Sequence, residues 1–278
     1  MISLSANNSF ALNRNPEDTT RKPLMASVEK PATTVVLKAA NVEFPDIFSG
    51  NETQVVDYIE KFSITRKNYL IRTYQRSKKL FPKAASILKK YNVPEEFKVL
   101  LALESAFNPN AVSSAGAVGY WQFMDVVAKE YGLKIAAKIT EKKAVSKSRN
   151  KKQPVKVKTV TVDDRKNFAK STHAAARYLK DRSRNLNNDW LLIAASYNCG
   201  VGNVWNAMER TGKKNPTFWD IKKFLPAETQ AYVMNFIALN VVFSNYEKFS
   251  KNNLCFKPIV AKVNIIEGDM VENCDPSL

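Results

Sequence analysis

Apolar residues recur at three- and four-residue intervals through most of the chain, which is the spacing of one face of an α-helix. Val55 and Ile59 begin this pattern, and the segments 201–211 and 226–243 continue it towards the carboxyl end. The stretch PVKVKTVTV at 154–162 alternates with period two instead, which is typical of a β-strand. The sequence therefore predicts a mainly α fold with a small two-stranded ribbon projecting from a helical body.

Polar residues at helix starts support this assignment. Ser171 precedes a helix predicted over 173–186, and Asp189 precedes one predicted over 190–197. Serine and aspartate are favoured at such positions because their side chains accept hydrogen bonds from the first free backbone N–H groups.

Composition divides the 278 residues into three parts. Residues 1–44 are rich in Ser, Asn, Thr, Pro and Lys, and we expect a flexible leader or linker. Residues 45–252 carry the periodic segments and are predicted to form one domain, interrupted by a basic insertion at 134–162. Residues 253–278 form a tail with short apolar runs and no clear period.

No membrane-targeting segment is predicted. The opening residues MISLSANNSF lack the apolar core of a signal peptide. The longest uncharged runs, 190–208 and 229–246, are interrupted by Asn, and the first also by Gly, which is more typical of buried helices than of membrane spans.

The formal net charge of +17 is concentrated in one segment. Residues 134–158 hold ten basic side chains and a single acid, Glu141. An isolated basic segment of this kind either attracts an anionic wall or membrane surface or simply keeps the chain soluble. Because the rest of the chain is only mildly basic, nucleic-acid binding is not predicted.

The few histidines and cysteines exclude several kinds of catalytic site. His173 is the only histidine, so multi-histidine metal sites and the HExxH zinc proteases are excluded. The cysteines at 199, 255 and 274 contain no CxxC pair. Cys255 and Cys274 either form one disulfide or stay reduced, and we predict neither a metal nor a cofactor.

Glu104 is the first candidate for chemistry. It lies in LLALESAFNP, on a helix predicted to begin at Pro94 and to run to Phe107, where most neighbours are apolar. Burial raises the pKa of a carboxyl group and keeps it protonated near neutral pH, as a general acid requires. A surface glutamate, or one paired with a buried base, is the alternative interpretation.

Two later segments offer residues suited to an acetamido sugar. In SSAGAVGYWQFM, Trp121 offers an apolar face and Gln122 an amide that both donates and accepts hydrogen bonds. In AASYNCGVGNV, Tyr197 is suited to hold an acid's carboxyl group and Asn198 to bind an amide of the substrate. An aromatic core turn and a glycine-capped helix end are the simpler alternatives.

In chain order these segments resemble the lytic murein transglycosylases with a goose-type-lysozyme-like catalytic domain, of the membrane-bound D type. The family has an E-S pair, a G-L-(M/W)-Q motif, an A-Y-N motif and a late E-T-x-x-Y segment. The matching positions are Glu104-Ser105, Gly119-Tyr120-Trp121-Gln122, Ser196-Tyr197-Asn198 and Glu228-Thr229 with Tyr232. Tyr120 and Ser196 depart modestly from the pattern. The resemblance covers about residues 50–250 apart from the basic insertion, and it implies a lysozyme-like helical domain with N-terminal helices.

The resemblance also implies a role for each matching residue. Glu104 corresponds to the sole catalytic acid and base, and Ser105 and Tyr197 to positions that orient its carboxyl group. The positions implied for the sugar cleft and its opposite wall are Gln122, Asn198, Glu228 and Tyr232.

The implied reaction cleaves the β-1,4 bond between N-acetylmuramic acid and N-acetylglucosamine and leaves a 1,6-anhydro end. A hydrolase using the same cleft and a non-catalytic glycan-binding protein are the alternatives. The implied substrate is peptidoglycan, and the implied location is the bacterial periplasm or cell envelope.

Overall fold

The structure, a computed structural model, describes residues 33–141 and 158–264. The α-helices in these ranges are α1 (Glu52–Thr65), α2 (Lys67–Ser77), α3 (Phe81–Lys90), α4 (Leu100–Ser105), α5 (Asp125–Glu130), α6 (Phe168–Asn185), α7 (Trp190–Cys199), α8 (Val201–Glu209), α9 (Phe218–Ile221), α10 (Ala227–Ser244) and α11 (Tyr246–Ser250). The β-strands are β1 (Thr33–Lys38), β2 (Ile135–Glu141), β3 (Lys158–Asp163) and β4 (Ile259–Asn264). The predicted mainly α class with a small β-ribbon is confirmed.

Helix α10 runs through the centre of the helical body. Val233, Phe236 and Ile237 on this helix have no exposed surface, and the helix packs against α1, α4 and α7. Burying each such side chain contributes about 2 kcal/mol to folding. This packing fixes where the first turns of α10, with Glu228 and Tyr232, meet α4. No helix in the described ranges combines the length and the apolar composition needed to cross a membrane.

The segment with Glu104 is shorter and less regular than predicted. A 3₁₀-helix at Glu95–Val99 precedes α4, so a single α-helix from Pro94 to Phe107 was the wrong expectation. Ala106 adopts a left-handed conformation with φ 48° and ends α4. Glu104 therefore lies in the last turn of a short helix.

One of the two predicted helix caps is confirmed. Asp189 accepts hydrogen bonds from the backbone N–H groups of Leu191 and Leu192, each at 3.0 Å. Ser171 is not a cap, because α6 begins earlier and Asn167 accepts from the backbone N–H of Lys170. The buried Ser171 hydroxyl donates to the Asn167 carbonyl oxygen at 2.7 Å.

The predicted ribbon is the antiparallel pair β2 and β3. Its base is fixed by Asp164, whose backbone N–H donates to the Lys134 carbonyl at 2.9 Å and whose carboxylate accepts from the Lys134 N–H at 3.0 Å. The next residue, Arg165, donates to the Phe123 carbonyl oxygen. The ribbon thus leaves the body beside the loop that carries Gln122. Residues 142–157 of the basic insertion lie outside the described residues.

A second ribbon connects the two ends of the described chain. Strand β1, in the segment expected to be a leader, pairs antiparallel with β4 of the tail, from Thr33 with Asn264 to Lys38 with Ile259. Cys255, just before β4, is buried and disulfide-bonded, which agrees with the first of the two alternatives for this residue. Cys274, the partner expected in that alternative, lies outside the described residues.

Candidate active site

Glu104 meets the phenol of Tyr232 between α4 and α10. The hydroxyl of Tyr232 donates a hydrogen bond of 2.5 Å to Oε1 of Glu104, across 128 positions of the sequence. No lysine or arginine in the described part of the chain forms an ion pair with Glu104. The carboxyl group is therefore held by a neutral donor rather than neutralised by a base.

The surroundings of Glu104 raise its pKa from an ordinary value of 4.5 to about 7. Burial is the main cause, because the charged form loses solvation. The hydrogen bond from Tyr232 lowers the pKa by favouring the carboxylate, and the negative charge of Glu228 raises it. At neutral pH a large fraction of this group can donate a proton.

The predicted partners of the Glu104 carboxyl group are replaced by Tyr232. The hydroxyl of Tyr197 donates instead to the Trp121 carbonyl oxygen at 2.8 Å. The hydroxyl of Ser105 donates to the Tyr120 carbonyl at 2.9 Å and to the Leu101 carbonyl at 3.2 Å. Ser105 and Tyr197 thus connect the Gln122 loop to α4 and α7, and neither hydroxyl forms a hydrogen bond with the Glu104 carboxyl group.

Tyr197 nevertheless lies close enough to Glu104 to feel its charge. Burial raises the pKa of Tyr197 well above its usual range, and the Glu104 carboxylate raises it further. Tyr197 and Tyr232 therefore stay neutral beside the acid at physiological pH.

Trp121 does not offer a face to a ligand. Its side chain is 0% exposed, and its indole N–H donates to the Thr172 hydroxyl on α6 at 3.0 Å. The expectation that this ring stacks on a sugar is wrong, because the residue is part of the core beneath the loop. It supports Gln122, its neighbour in sequence.

Gln122 is held in a strained loop conformation beside the acid's helix. Its φ is 49°, in the left-handed region, and its side-chain N–H₂ donates to the carbonyls of Gly119 at 2.9 Å and Ala111 at 3.1 Å. Gly119, with φ 88°, passes so close to the Arg165 carbonyl that a Cβ atom would lie 2.2 Å from its oxygen. The half-buried amide of Gln122 keeps its Oε1 as an acceptor without a partner among the described residues.

Asn198 is connected to α10 by a residue that the sequence interpretation overlooked. The Thr229 hydroxyl donates to Asn198 Oδ1 at 2.7 Å, and the amide N–H₂ of Asn198 has no acceptor among the described residues. Thr229 is completely buried. Thr229 lies between Glu228 and Tyr232 in the E-T-x-x-Y segment, and this position in the motif could have identified it from the sequence.

Glu228 brings a second carboxylate towards Glu104. It lies exposed in the first turn of α10, and it shares a helix face with Tyr232, four residues later. Asp125, the acid nearest to Glu104 in the motif region, forms instead an ion pair with Lys129 at 2.6 Å.

The described residues contain no group of three His, Cys, Asp or Glu side chains placed to bind a metal ion. His173 lies apart from Glu104, with its ring nitrogen 3.0 Å from the Tyr91 hydroxyl. The arrangement can therefore exchange protons through one carboxyl group flanked by two neutral phenols.

Part of this site lies in a segment that matches a known protein family. Residues 82–219 match the family described as Transglycosylase SLT domain. Membrane-bound lytic murein transglycosylase D of Escherichia coli strain K12 is 31% identical over 189 residues, which is 67% of this chain and 36% of that relative. The chain thus spans about a third of the length of this curated relative.

Two solved structures show weaker likeness. An inactive mutant of the lytic transglycosylase Slt from Pseudomonas aeruginosa is 18% identical, with a TM-score of 0.42 over 62% of this chain and 24% of the other. The 70 kDa soluble lytic transglycosylase of Escherichia coli is 15% identical, with a TM-score of 0.42 over 76% of this chain and 38% of the other.

Proposed function

We propose, on the premise that the chain belongs to the transglycosylase SLT domain family, that it is a lytic transglycosylase acting on peptidoglycan. Membership confirms the resemblance predicted from the four motifs. The main support for this proposal is the state of Glu104. Burial keeps its carboxyl group largely protonated near pH 7, and no cation among the described residues neutralises it. The proposed activity is assigned to residues 45–252.

Glu104 acts first as an acid in the proposed reaction. It gives its proton to the oxygen that bridges N-acetylmuramic acid and N-acetylglucosamine, while the bond from that oxygen to C1 of the muramyl unit breaks. The N-acetylglucosamine unit leaves with a free 4-hydroxyl group. A pKa near the working pH suits this step, because the protonated form is abundant and still a good donor.

Glu104 then acts as a base on the same sugar. Its carboxylate takes the proton of the muramyl C6 hydroxyl, and the C6 oxygen forms a bond to C1. The product carries a 1,6-anhydro ring, no water is consumed, and Glu104 ends protonated as it began. The phenol of Tyr232 stabilises the carboxylate between the two steps because it donates to Oε1.

The remaining site residues are proposed to bind the glycan. The Oε1 of Gln122 and the N–H₂ of Asn198 are an acceptor and a donor suited to acetamido groups. Ser105, Trp121 and Tyr197 hold the loop and helices that present them.

Hydrolysis in the same cleft is a second candidate, favoured by Glu228. A hydrolase of the usual kind needs two carboxyl groups, about 5–5.5 Å apart for retention or 6.5–9.5 Å for inversion. The charge of Glu228 acts on Glu104, so in this alternative we assign Glu228 the role of the second carboxyl group. The two candidates differ in product, since a hydrolysed muramyl end is one water heavier than an anhydro end.

Mass spectrometry of muropeptides released from purified sacculi tests both candidates. We expect anhydro ends from the wild type and a loss of turnover of at least about a hundredfold in Glu104→Gln. Glu209→Gln, an exposed change of the same kind on α8, is the control and should retain turnover. Full turnover by Glu104→Gln would refute the assignment, and reducing ends throughout would identify a hydrolase.

The proposed location is the bacterial cell envelope. The proposed substrate is found there, and the name of the Escherichia coli relative describes a membrane-bound murein enzyme.

A further inference from the structure

A second groove lies between the N-terminal helices and α10. Its cavity has a volume of about 490 Å³. One wall consists of aromatic residues of α1 and α2, namely Tyr58, Phe62 and Tyr69. The other wall consists of Ala231 and Asn235 on α10. Helices α1 and α2 precede residues 82–219, so this wall is not part of the matched family segment.

The groove lies next to the site around Glu104, along α10 and α4. Ala231 and Asn235 lie three residues after Glu228 and Tyr232, respectively, so all four share one face of α10. The rise of an α-helix places Asn235 about 4.5 Å beyond Tyr232 along the axis. On α4, Leu103 lines the groove and directly precedes Glu104. A chain of sugars leaving the catalytic centre in this direction would enter the groove.

The aromatic wall has the chemistry of a sugar platform. The rings of Tyr58 and Phe62 stack with centroids 5.9 Å apart and planes inclined by 17°. Both residues are half-buried, so part of each ring is open to the groove. Binding sites for small organic groups combine such apolar faces with a few fixed polar atoms.

Asn235 supplies the fixed polar atoms. The Tyr58 hydroxyl donates to Asn235 Oδ1 at 2.7 Å, which fixes the orientation of the amide. Its N–H₂ group has no acceptor among the described residues and is available to the carbonyl oxygen of an acetamido group.

Positive charge lies at the rim of the groove. Lys61 and Arg66 line the cavity and are exposed, and neither forms an ion pair with a carboxylate in the described ranges. An N-acetylated sugar that also carries a carboxylate would meet each of these features at once.

We propose that this groove is an additional saccharide subsite, in which Phe62 and Tyr58 support an N-acetylated sugar unit of the glycan strand and Lys61 and Arg66 bind the carboxylates of its peptide substituent. This inference rests on the proposed function for the identity of the strand. The subsite lengthens the stretch of glycan held beside Glu104.

Binding without turnover tests the sugar platform. Isothermal titration of a hexamer of N-acetylglucosamine into the Glu104→Gln protein measures the dissociation constant. Adding Phe62→Leu, which keeps an apolar side chain and removes the aromatic face, should weaken binding about tenfold. Adding Phe224→Leu, a half-buried aromatic residue that does not line this groove, should change it less than twofold.

An unchanged dissociation constant in the folded Phe62→Leu protein would overturn the proposal. If that variant fails to fold, Asn235→Ala serves in its place and should weaken the hexamer at least threefold. Since this measurement uses an inactive protein, it reports on the groove whether or not the wild type makes anhydro ends.

The charged rim is tested with two ligands, of which only one carries carboxylates. The double variant Lys61→Ala and Arg66→Ala should bind peptide-bearing glycan strands about fivefold more weakly than the parent. The hexamer of N-acetylglucosamine, which has no carboxylate, should bind equally to both proteins. Lys79→Ala, an exposed lysine outside the groove, is the control. Equal losses on the strands and on the hexamer would contradict the assignment of Lys61 and Arg66 to carboxylates.

Discussion

The carboxyl group of Glu104 is set near neutrality by opposing influences. Burial and the charge of Glu228 raise its pKa, and the hydrogen bond from Tyr232 lowers it. An acid that must first give and then take a proton benefits from this balance, because neither form is strongly favoured. Replacing a partner of Glu104 is therefore expected to change the pH profile of the enzyme while leaving its fold intact.

Replacing Tyr232 by Phe removes the donor that favours the carboxylate. The pKa of Glu104 should then rise above about 7, so the alkaline limb of kcat/KM should move to higher pH. The rate at the optimum should fall about tenfold, because the carboxylate formed in the reaction loses a charge-assisted hydrogen bond.

Replacing Glu228 by Gln should move the same limb in the opposite direction. Its negative charge raises the pKa of Glu104, so removing it lowers that pKa and shifts the limb to lower pH. Rate measurements on soluble glycan strands between pH 5 and 9 distinguish the two variants. If the alkaline limb moved in the same direction in both variants, the result would contradict the described contacts.

Because its pKa is raised, Glu104 also lowers the stability of the folded protein at high pH. The folded carboxyl group binds its proton with a pKa of about 7, compared with an ordinary value of 4.5 when unfolded. The stabilisation by this bound proton is fully present below the pKa that Glu104 has in the unfolded chain. It is lost as the pH rises through the pKa that Glu104 has in the folded chain. Glutamine cannot ionise and avoids the loss.

Glu104→Gln should therefore unfold at higher denaturant concentration than the wild type above pH 7. The expected gain in the free energy of unfolding is about 3 kcal/mol at pH 8, falling to near zero at pH 4. Urea titrations at both pH values check it. An equal difference between the two proteins at pH 4 and pH 8 would mean that ionisation of Glu104 is not its source.

At the scale of elements, local signals in the sequence predicted most helices and the β2–β3 ribbon. The helix over α7 and its Asp189 cap follow from residues within a few positions of each other. The Tyr232–Glu104 hydrogen bond depends on how α4 packs against α10, which no local pattern contains. The same holds for β1 and β4, which pair across more than two hundred residues.

The burial of Trp121 shows another limit of local patterns. Sequence alone indicated a ring beside a glutamine, and whether that ring faces a ligand or the core depends on α6, some fifty residues later. Likewise, Ser171 and Asn167 are both good capping residues, and only the start of α6 decides between them.

The Gln122 loop offers a matched pair of glycines for a test at this scale. Gly119 and Gly116 both have φ near 87°, but only Gly119 packs against another backbone, where a Cβ would lie 2.2 Å from the Arg165 carbonyl oxygen. Gly119→Ala should therefore lower the free energy of unfolding by about 3 kcal/mol, through strain and backbone displacement.

Gly116→Ala should cost only about 1 kcal/mol, since it meets no atom within 4 Å and adds conformational strain alone. Chemical denaturation of both variants measures the difference. Equal losses would show that the Gly119 and Arg165 backbones do not meet as described.

At the scale of the whole molecule, the basic segment and the candidate site both adjoin the loop that carries Gln122. Arg165, at the foot of the β2–β3 ribbon, donates to the Phe123 carbonyl, and Phe123 directly follows Gln122. The ten basic side chains of 134–158 thus belong to a segment rooted next to the candidate cleft. Peptidoglycan peptides carry carboxylates, so this segment is expected to draw the strand towards the site.

Replacing 138–158 by a neutral linker of the same length should weaken binding to intact sacculi about fivefold at low ionic strength. At 1 M salt the Debye length falls to about 3 Å, and the loss should shrink below twofold because the attraction is screened. Co-sedimentation with sacculi at both salt concentrations measures it, with the glycan hexamer as an uncharged control that should bind both proteins equally. A loss that is the same at low and high salt would mean that the segment acts through shape or direct contact rather than through its charge.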